Sequence, residues 1–80
     1  MFTVYILQDE TGKLYKGMTG NLKRRLSEHR SGHTQTTRAM NNLSVVYKEE
    51  YDTFYEARKR ELYLKSAAGR KFLKSKLMRV

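Results

Sequence analysis

Eighty residues, 39% of them apolar and none of them cysteine, bound the possibilities closely. A chain of this size buries roughly 60% of the surface it exposes when unfolded, which supports one compact core and one domain spanning 1–80. The missing cysteines exclude a disulfide scaffold, a thiolate metal site and a cysteine nucleophile. The longest apolar stretches, Val4 to Leu7 and Leu43 to Tyr47, fall far short of the roughly 20 residues of a membrane span, and the N-terminus lacks a secretion-signal pattern. A soluble cytoplasmic protein with no membrane partner is expected. Seventeen Lys and Arg against eight Asp and Glu leave a net charge of +9. That much like charge repels itself unless a polyanion shares the load, so nucleic acid is the expected partner, with no obligate protein partner implied.

In chain order, Phe2 to Leu7 alternates and is rich in β-formers, Asp9-Glu10-Thr11-Gly12 is a turn cluster, and Leu14 to Met18 extends again. This predicts a β-hairpin. A register with Tyr5 opposite Tyr15 puts Thr3, Tyr5, Leu7, Tyr15 and Gly17 on one face. Phe2, Val4, Ile6, Leu14, Lys16 and Met18 take the other. Asn21 is an N-cap for a first helix carrying Leu22 and Leu26, which stops at Ser31-Gly32. His33 to Asn42 is polar and aperiodic, a loop whose Arg38 is a candidate ligand contact. Leu43 to Tyr51 reads as a third strand. Thr53 with Glu56 forms a capping box opening a second helix to about Lys65. Ser66 to Gly69 reads as a break, and Arg70 to Met78 as a short basic third helix. The expected fold is α+β: a small, three-stranded, mainly antiparallel sheet flanked by helices in the order ββαβαα.

Three features carry chemistry. At about 100° per residue, Glu61 falls between Ala57, Leu64 and Phe54 on the face of the second helix that should be buried. A carboxylate there must find a cation, donors or a metal, and an ion pair with Lys65 one turn on competes with a functional role. Glu28 and Glu56 read as solvated helix residues, the latter capping. Arg25 and His29, four apart, flank the Leu22/Leu26 stripe and point together toward the sheet; His29 is either a border histidine or part of a site. Tyr5 and Tyr15 share a face, as packing partners or as reactive phenols. Lys16 sits among apolar neighbours, where a lysine on an edge strand can snorkel and discourage strand addition.

Val4-Tyr5-Ile6, Tyr15-Lys16-Gly17-Met18-Thr19 ten residues on, Asn21-Leu22-Lys23-Arg24-Arg25 with His29, and then Glu61 resemble the GIY-YIG nuclease family over nearly the whole chain. Residues 56–66, continuing into Gly69-Arg70-Lys71-Phe72-Leu73-Lys74, resemble small stand-alone bacterial members. These are related to the nuclease module of the nucleotide-excision-repair subunit UvrC. The resemblance implies a hydrolase, a divalent-metal-dependent endonuclease acting on DNA, with Mg²⁺ or Mn²⁺ as cofactor and a place in DNA repair. It implies Tyr5 and Tyr15 around the attacking water, either one as base, Arg25 on the phosphate, His29 one turn later, and Glu61 as the metal-binding carboxylate. Gly17 would let the backbone pass close to the site. Arg24, Arg38, Arg70, Lys71 and Lys74 are the expected nucleic-acid contacts. Val4 and Lys16 depart from the motif, and the asparagine of some longer members has no counterpart. The alternative is therefore a nucleic-acid-binding module of the same fold with weak or no cleavage.

Overall fold

The structure, a computed structural model, describes residues 1–31 and 41–77; Arg38 lies outside the described residues. Strands β1 (Phe2–Gln8), β2 (Leu14–Thr19) and β3 (Ser44–Tyr51) form one antiparallel sheet in the order β2-β1-β3. Helices α1 (Leu22–Arg30), α2 (Phe54–Lys65) and α3 (Ala67–Leu77) complete the order ββαβαα. The fold is the α+β arrangement that the alternation and capping signals predict.

Local chemistry sets the element ends. The Asp9 carboxylate accepts hydrogen bonds from the N–H groups of Thr11 and Lys13, each at 2.9 Å, and Gly12 takes φ +91°, closing the β1–β2 hairpin. The Asn21 side chain accepts from the Arg24 N–H (3.1 Å) and starts α1. Thr53 Oγ1 accepts from the Glu56 N–H (3.2 Å) and starts α2.

Central β1 is buried from Thr3 to Leu7, so its alternation divides the core between two faces. Tyr5, Leu7, Leu43, Tyr15 and Val45 pack with Leu22 and Leu26 of α1. Val4 and Ile6 pack with Ala57, Leu64 and Leu73 from α2 and α3. The register differs from the expected one: Tyr5 stands opposite Gly17, and Tyr15 opposite Leu7. A slip of two residues preserves side-chain parity, so every residue keeps its expected face while its partner changes. On the other side of β1, pairing passes from Ile6–Tyr47 to Leu7–Val45, leaving Val46 as an extra residue in a bulge. That turns Val45 toward α1 and Val46 toward α2.

α2 is locked to β3 by a polar cluster. Glu49 accepts two bonds from the Arg60 guanidinium, 2.8 and 3.0 Å, and further bonds from the hydroxyls of Tyr47 and Tyr51. The Arg60 fork and the two phenols outweigh burial and hold the Glu49 carboxyl below its ordinary range. The arginine also stacks 4.9 Å from the Tyr63 and Phe72 ring centres.

The expected break at Ser66 to Gly69 shrinks to Ser66 alone. Gly69 is a buried residue inside α3, where a Cβ would stand 2.0 Å from the Tyr63 carbonyl oxygen and 2.4 Å from the Leu64 Cα. The glycine is there for the close approach of α3 to the end of α2. Gly69→Ala is expected to destabilise by about 1–3 kcal/mol or more, because backbone cannot yield as a side chain tip can. Denaturant unfolding checks this; a wild-type midpoint would show that the helix junction relaxes freely.

Candidate active site

β2 is an edge strand, and at that edge residues from both faces of the sheet meet. Tyr5, Tyr15 and Gly17 of the hairpin, Arg25 of α1, and Phe54, Arg58 and Glu61 of α2 line, with Met18, a cleft of about 290 Å³. Four of the sequence-predicted residues, Tyr5, Tyr15, Arg25 and Glu61, thus converge from four elements.

Gly17 has a more specific part than a general close approach of backbone. A Cβ there would lie 2.7 Å from the Tyr5 hydroxyl oxygen and 3.0 Å from Tyr15 Cε2. The missing side chain is the space that the two phenol rings occupy. Their centres are 6.3 Å apart, and His29 stacks edge-on against both, 5.9 Å from Tyr5 and 4.8 Å from Tyr15.

His29 is 2% exposed and joins the cleft through a 2.9 Å hydrogen bond between its Nε2 and the Tyr5 hydroxyl. Burial, with the neighbouring Arg25 charge, holds the imidazole below its ordinary pKa, so it is neutral at pH 7. Tyr5 is fully buried, and burial pushes its phenol up to about 12 against the opposing pull of Arg25. The Arg25 guanidinium beside the phenol is a donor to the Tyr5 oxygen, which leaves the phenol proton for the imidazole, so we assign the tautomer in which Nε2 accepts from Tyr5.

This linkage has a sign. The folded chain resists protonation of His29, so below the ordinary value of 6.5 the unfolded chain binds more protons. Stability is fully present above that pH and is expected to fall as pH drops from 6.5 through the lower folded value. Denaturant midpoints at pH 7.5, 6 and 5 should descend for the wild type and much less for His29→Gln. Parallel profiles would remove the histidine from the effect.

Arg25 is held by Glu28, its Nη1 donating to Oε1 at 2.9 Å. Glu28, expected to be merely solvated, is instead a half-buried brace for the arginine, because the helical i,i+3 spacing brings the two together. This bond, with the adjacent Tyr5 hydroxyl, raises the guanidinium pKa further. Arg24 on the outer side of α1 is exposed, with Glu28 at 3.9 Å.

Glu61 is 6% exposed, as its helical phase requires. Lys65 Nζ does sit on Oε2, at 3.2 Å, and Arg58 Nη1 donates to Oε1 at 2.7 Å. In the sequence Arg58 carries one signal, the i,i+3 spacing to Glu61 on a helix with several cations. Both cations are about half exposed, 49% for Arg58 and 47% for Lys65. Among the described residues no group of three or more His, Asp or Glu side chains gathers as a metal cluster, so Glu61 is the carboxylate that lines the cleft. Arg70, Lys71 and Lys74 lie apart from the cleft lining, on a groove of about 530 Å³ along α3 with Ala67 and Ala68. No helix among the described residues is long and apolar enough to cross a membrane.

A three-stranded sheet whose edge presents two tyrosines, an arginine and a glutamate around a glycine defines a small α+β domain with a polar cleft at the sheet edge. The chain belongs to the GIY-YIG catalytic domain family, a nuclease family whose model matches residues 1–74. It is similar to a UPF0213 protein of Staphylococcus saprophyticus, 33% identical over 72 residues, covering 89% of this chain and 88% of that one. A UPF0213 protein of Clostridium perfringens is 38% identical over 63 residues, 78% of this chain and 68% of that one. The solution NMR structure of a UPF0213 protein from Bacillus halodurans matches with a TM-score of 0.57 and 30% identity, covering 94% of this chain and 84% of that one.

Proposed function

We propose that this chain is a divalent-metal-dependent endonuclease that hydrolyses DNA phosphodiester bonds by a one-metal mechanism with tyrosine-assisted attack of water. The observation that carries the reading is the convergence of Tyr5, Tyr15, Arg25 and Glu61 on one cleft around Gly17. The donor set fits Mg²⁺ or Mn²⁺: Mg²⁺ typically takes one or two carboxylates and completes its shell with water and substrate phosphates, so Glu61 alone would hold it. Bound there, the ion would supply positive charge to offset the negative charge that builds on the phosphodiester.

The chain's own groups do the rest. Arg25, braced by Glu28, offers a planar fork to the non-bridging oxygens. Tyr5 keeps its proton, anchored by His29, and orients; Tyr15, half-buried at the sheet edge beside the Arg25 guanidinium, is the phenol open to the attacking water, and it takes that water's proton as the phenolate, its own proton having first passed to solvent. His29 is a positioning residue for Tyr5. Arg58 and Lys65, half in solvent, can leave Glu61 for the phosphate when substrate enters.

The pairing of both Glu61 oxygens with cations favours a second reading, a DNA-binding module of the same fold without cleavage. Labelled single-stranded, duplex and branched DNA incubated with Mg²⁺, Mn²⁺ or EDTA decides. Cleavage with either ion and none in EDTA supports the enzyme, and tight binding without cleavage selects the module.

A further inference from the structure

Lys16 is the residue that the catalytic reading leaves unexplained. It pairs with Ile6, which is fully buried against Leu64 and Leu73, so its position on β2 belongs to the apolar face of the sheet. The lysine is half-buried there rather than snorkelled fully into water. The charges that act on it are those of two cations, Arg70 and Lys65. Arg70 Nη1 donates to the Lys65 carbonyl at 3.2 Å, pinning the first turn of α3 to the last residue of α2, and Lys65 in turn reaches Glu61. Burial and the charges of Arg70 and Lys65 together hold the Lys16 ammonium below its ordinary pKa.

Among the described residues neither Lys16 nor Arg70 forms an ion pair, and Glu61 is the carboxylate paired with Lys65. Gathering three cations beside an apolar core raises the free energy of the folded chain, and an anion seated among them offsets it. The basic groove of Arg70, Lys71 and Lys74 continues from the same point along α3. Lys65 is therefore shared between the catalytic carboxylate and the cluster.

We propose that Lys16, Lys65 and Arg70 form a phosphate-binding subsite at the β2 edge, which holds a backbone phosphate of the nucleic acid next to the one in the Glu61 cleft. The placement next to a scissile phosphate rests on the proposed nuclease reading; the subsite itself does not. Lys16 then trades stability for binding: an apolar residue would fold better and hold nucleic acid less well.

The test measures binding of a labelled single-stranded DNA and its duplex by anisotropy in EDTA over a range of salt, with thermal melts of the same samples without DNA. Lys16→Met restores an apolar side chain of similar length. It should melt higher than the wild type, bind about threefold to tenfold more weakly, and lower the log–log salt slope by about 0.7 on the single strand or 0.9 on the duplex, one phosphate contact. Lys23→Met on α1 makes the same charge change away from the cluster and should leave the slope as it is. A Lys16→Met slope equal to wild type, a lower melting temperature, or an equal loss from Lys23→Met overturns the subsite. Because EDTA removes cleavage from the measurement, wild-type protein that binds in this pattern yet never cuts with Mg²⁺ or Mn²⁺ refutes the nuclease reading while supporting the subsite.

Discussion

Glu61→Gln is expected to abolish metal-dependent cleavage while moving the melting temperature by only a few degrees. The two consequences come from different properties of one carboxylate. A neutral amide is a poor ligand for a hard divalent ion, so the charge stabilisation that a Glu61-bound ion would supply is lost. The fold loses less. The ion pairs to Arg58 and Lys65 end on cations that are about half exposed, and such pairs are worth roughly 0–1 kcal/mol each. Against this, the substitution removes a charge from a site that is 6% exposed, which relieves a desolvation cost of the opposite sign. Gln also keeps an oxygen to accept from Arg58. A residual of about 1 kcal/mol corresponds to a shift of roughly 4–8 °C in a domain of this size. DNA affinity in EDTA should hold or tighten, since a negative charge beside the phosphate is gone. Single-turnover cleavage and thermal unfolding of the same variant separate the roles. Undiminished cleavage would remove Glu61 from the chemistry, and a chain that fails to fold would make the Arg58–Glu61–Lys65 pairing its purpose.

What the sequence discloses and what it conceals follow from the range of each interaction. Caps act over three residues, and both Asn21 and the Thr53–Glu56 pair sit where the side chains demand. Facing is a matter of period, so Tyr5 with Tyr15 and the burial of Glu61 were legible from alternation and helical phase. Register was not, because two tyrosines two residues out of line satisfy the same pattern; the choice falls to Gly17, whose missing side chain only matters once Tyr5 lies over it. Gly69 shows the same ambiguity in a helix: a glycine near an apparent break reads as a stop, but here it permits close packing. The Glu49–Arg60 pair depends on which strand lies beneath α2, and no local pattern carries that information, whereas Arg58 has its i,i+3 spacing to Glu61 as a local signal that several cations on the helix share.

The two tyrosines, alike in sequence, are expected to separate in experiment. Tyr15→Phe removes a hydroxyl from a half-buried ring whose packing against His29 survives, so the melting temperature should hardly move. Cleavage should fall by the roughly 10²–10⁴-fold typical of a lost acid–base group. Tyr5→Phe removes the hydroxyl bonded to buried His29, and leaving that nitrogen without its phenol partner costs on the order of 1–3 kcal/mol, so this variant should melt lower as well as cut more slowly. Arg25→Lys keeps the charge but loses the planar fork that holds Glu28 and that the proposed mechanism offers to the phosphate. It should therefore cost rate more than affinity. Single-turnover rates, binding in EDTA and melting curves on the three variants give each residue two coordinates, stability and rate. A Tyr15→Phe chain that cuts at the wild-type rate takes the proton-accepting role away from Tyr15. A Tyr5→Phe chain that melts lower but cuts normally makes Tyr5 a buried strut for α1, with the chemistry left to Tyr15, Arg25 and Glu61.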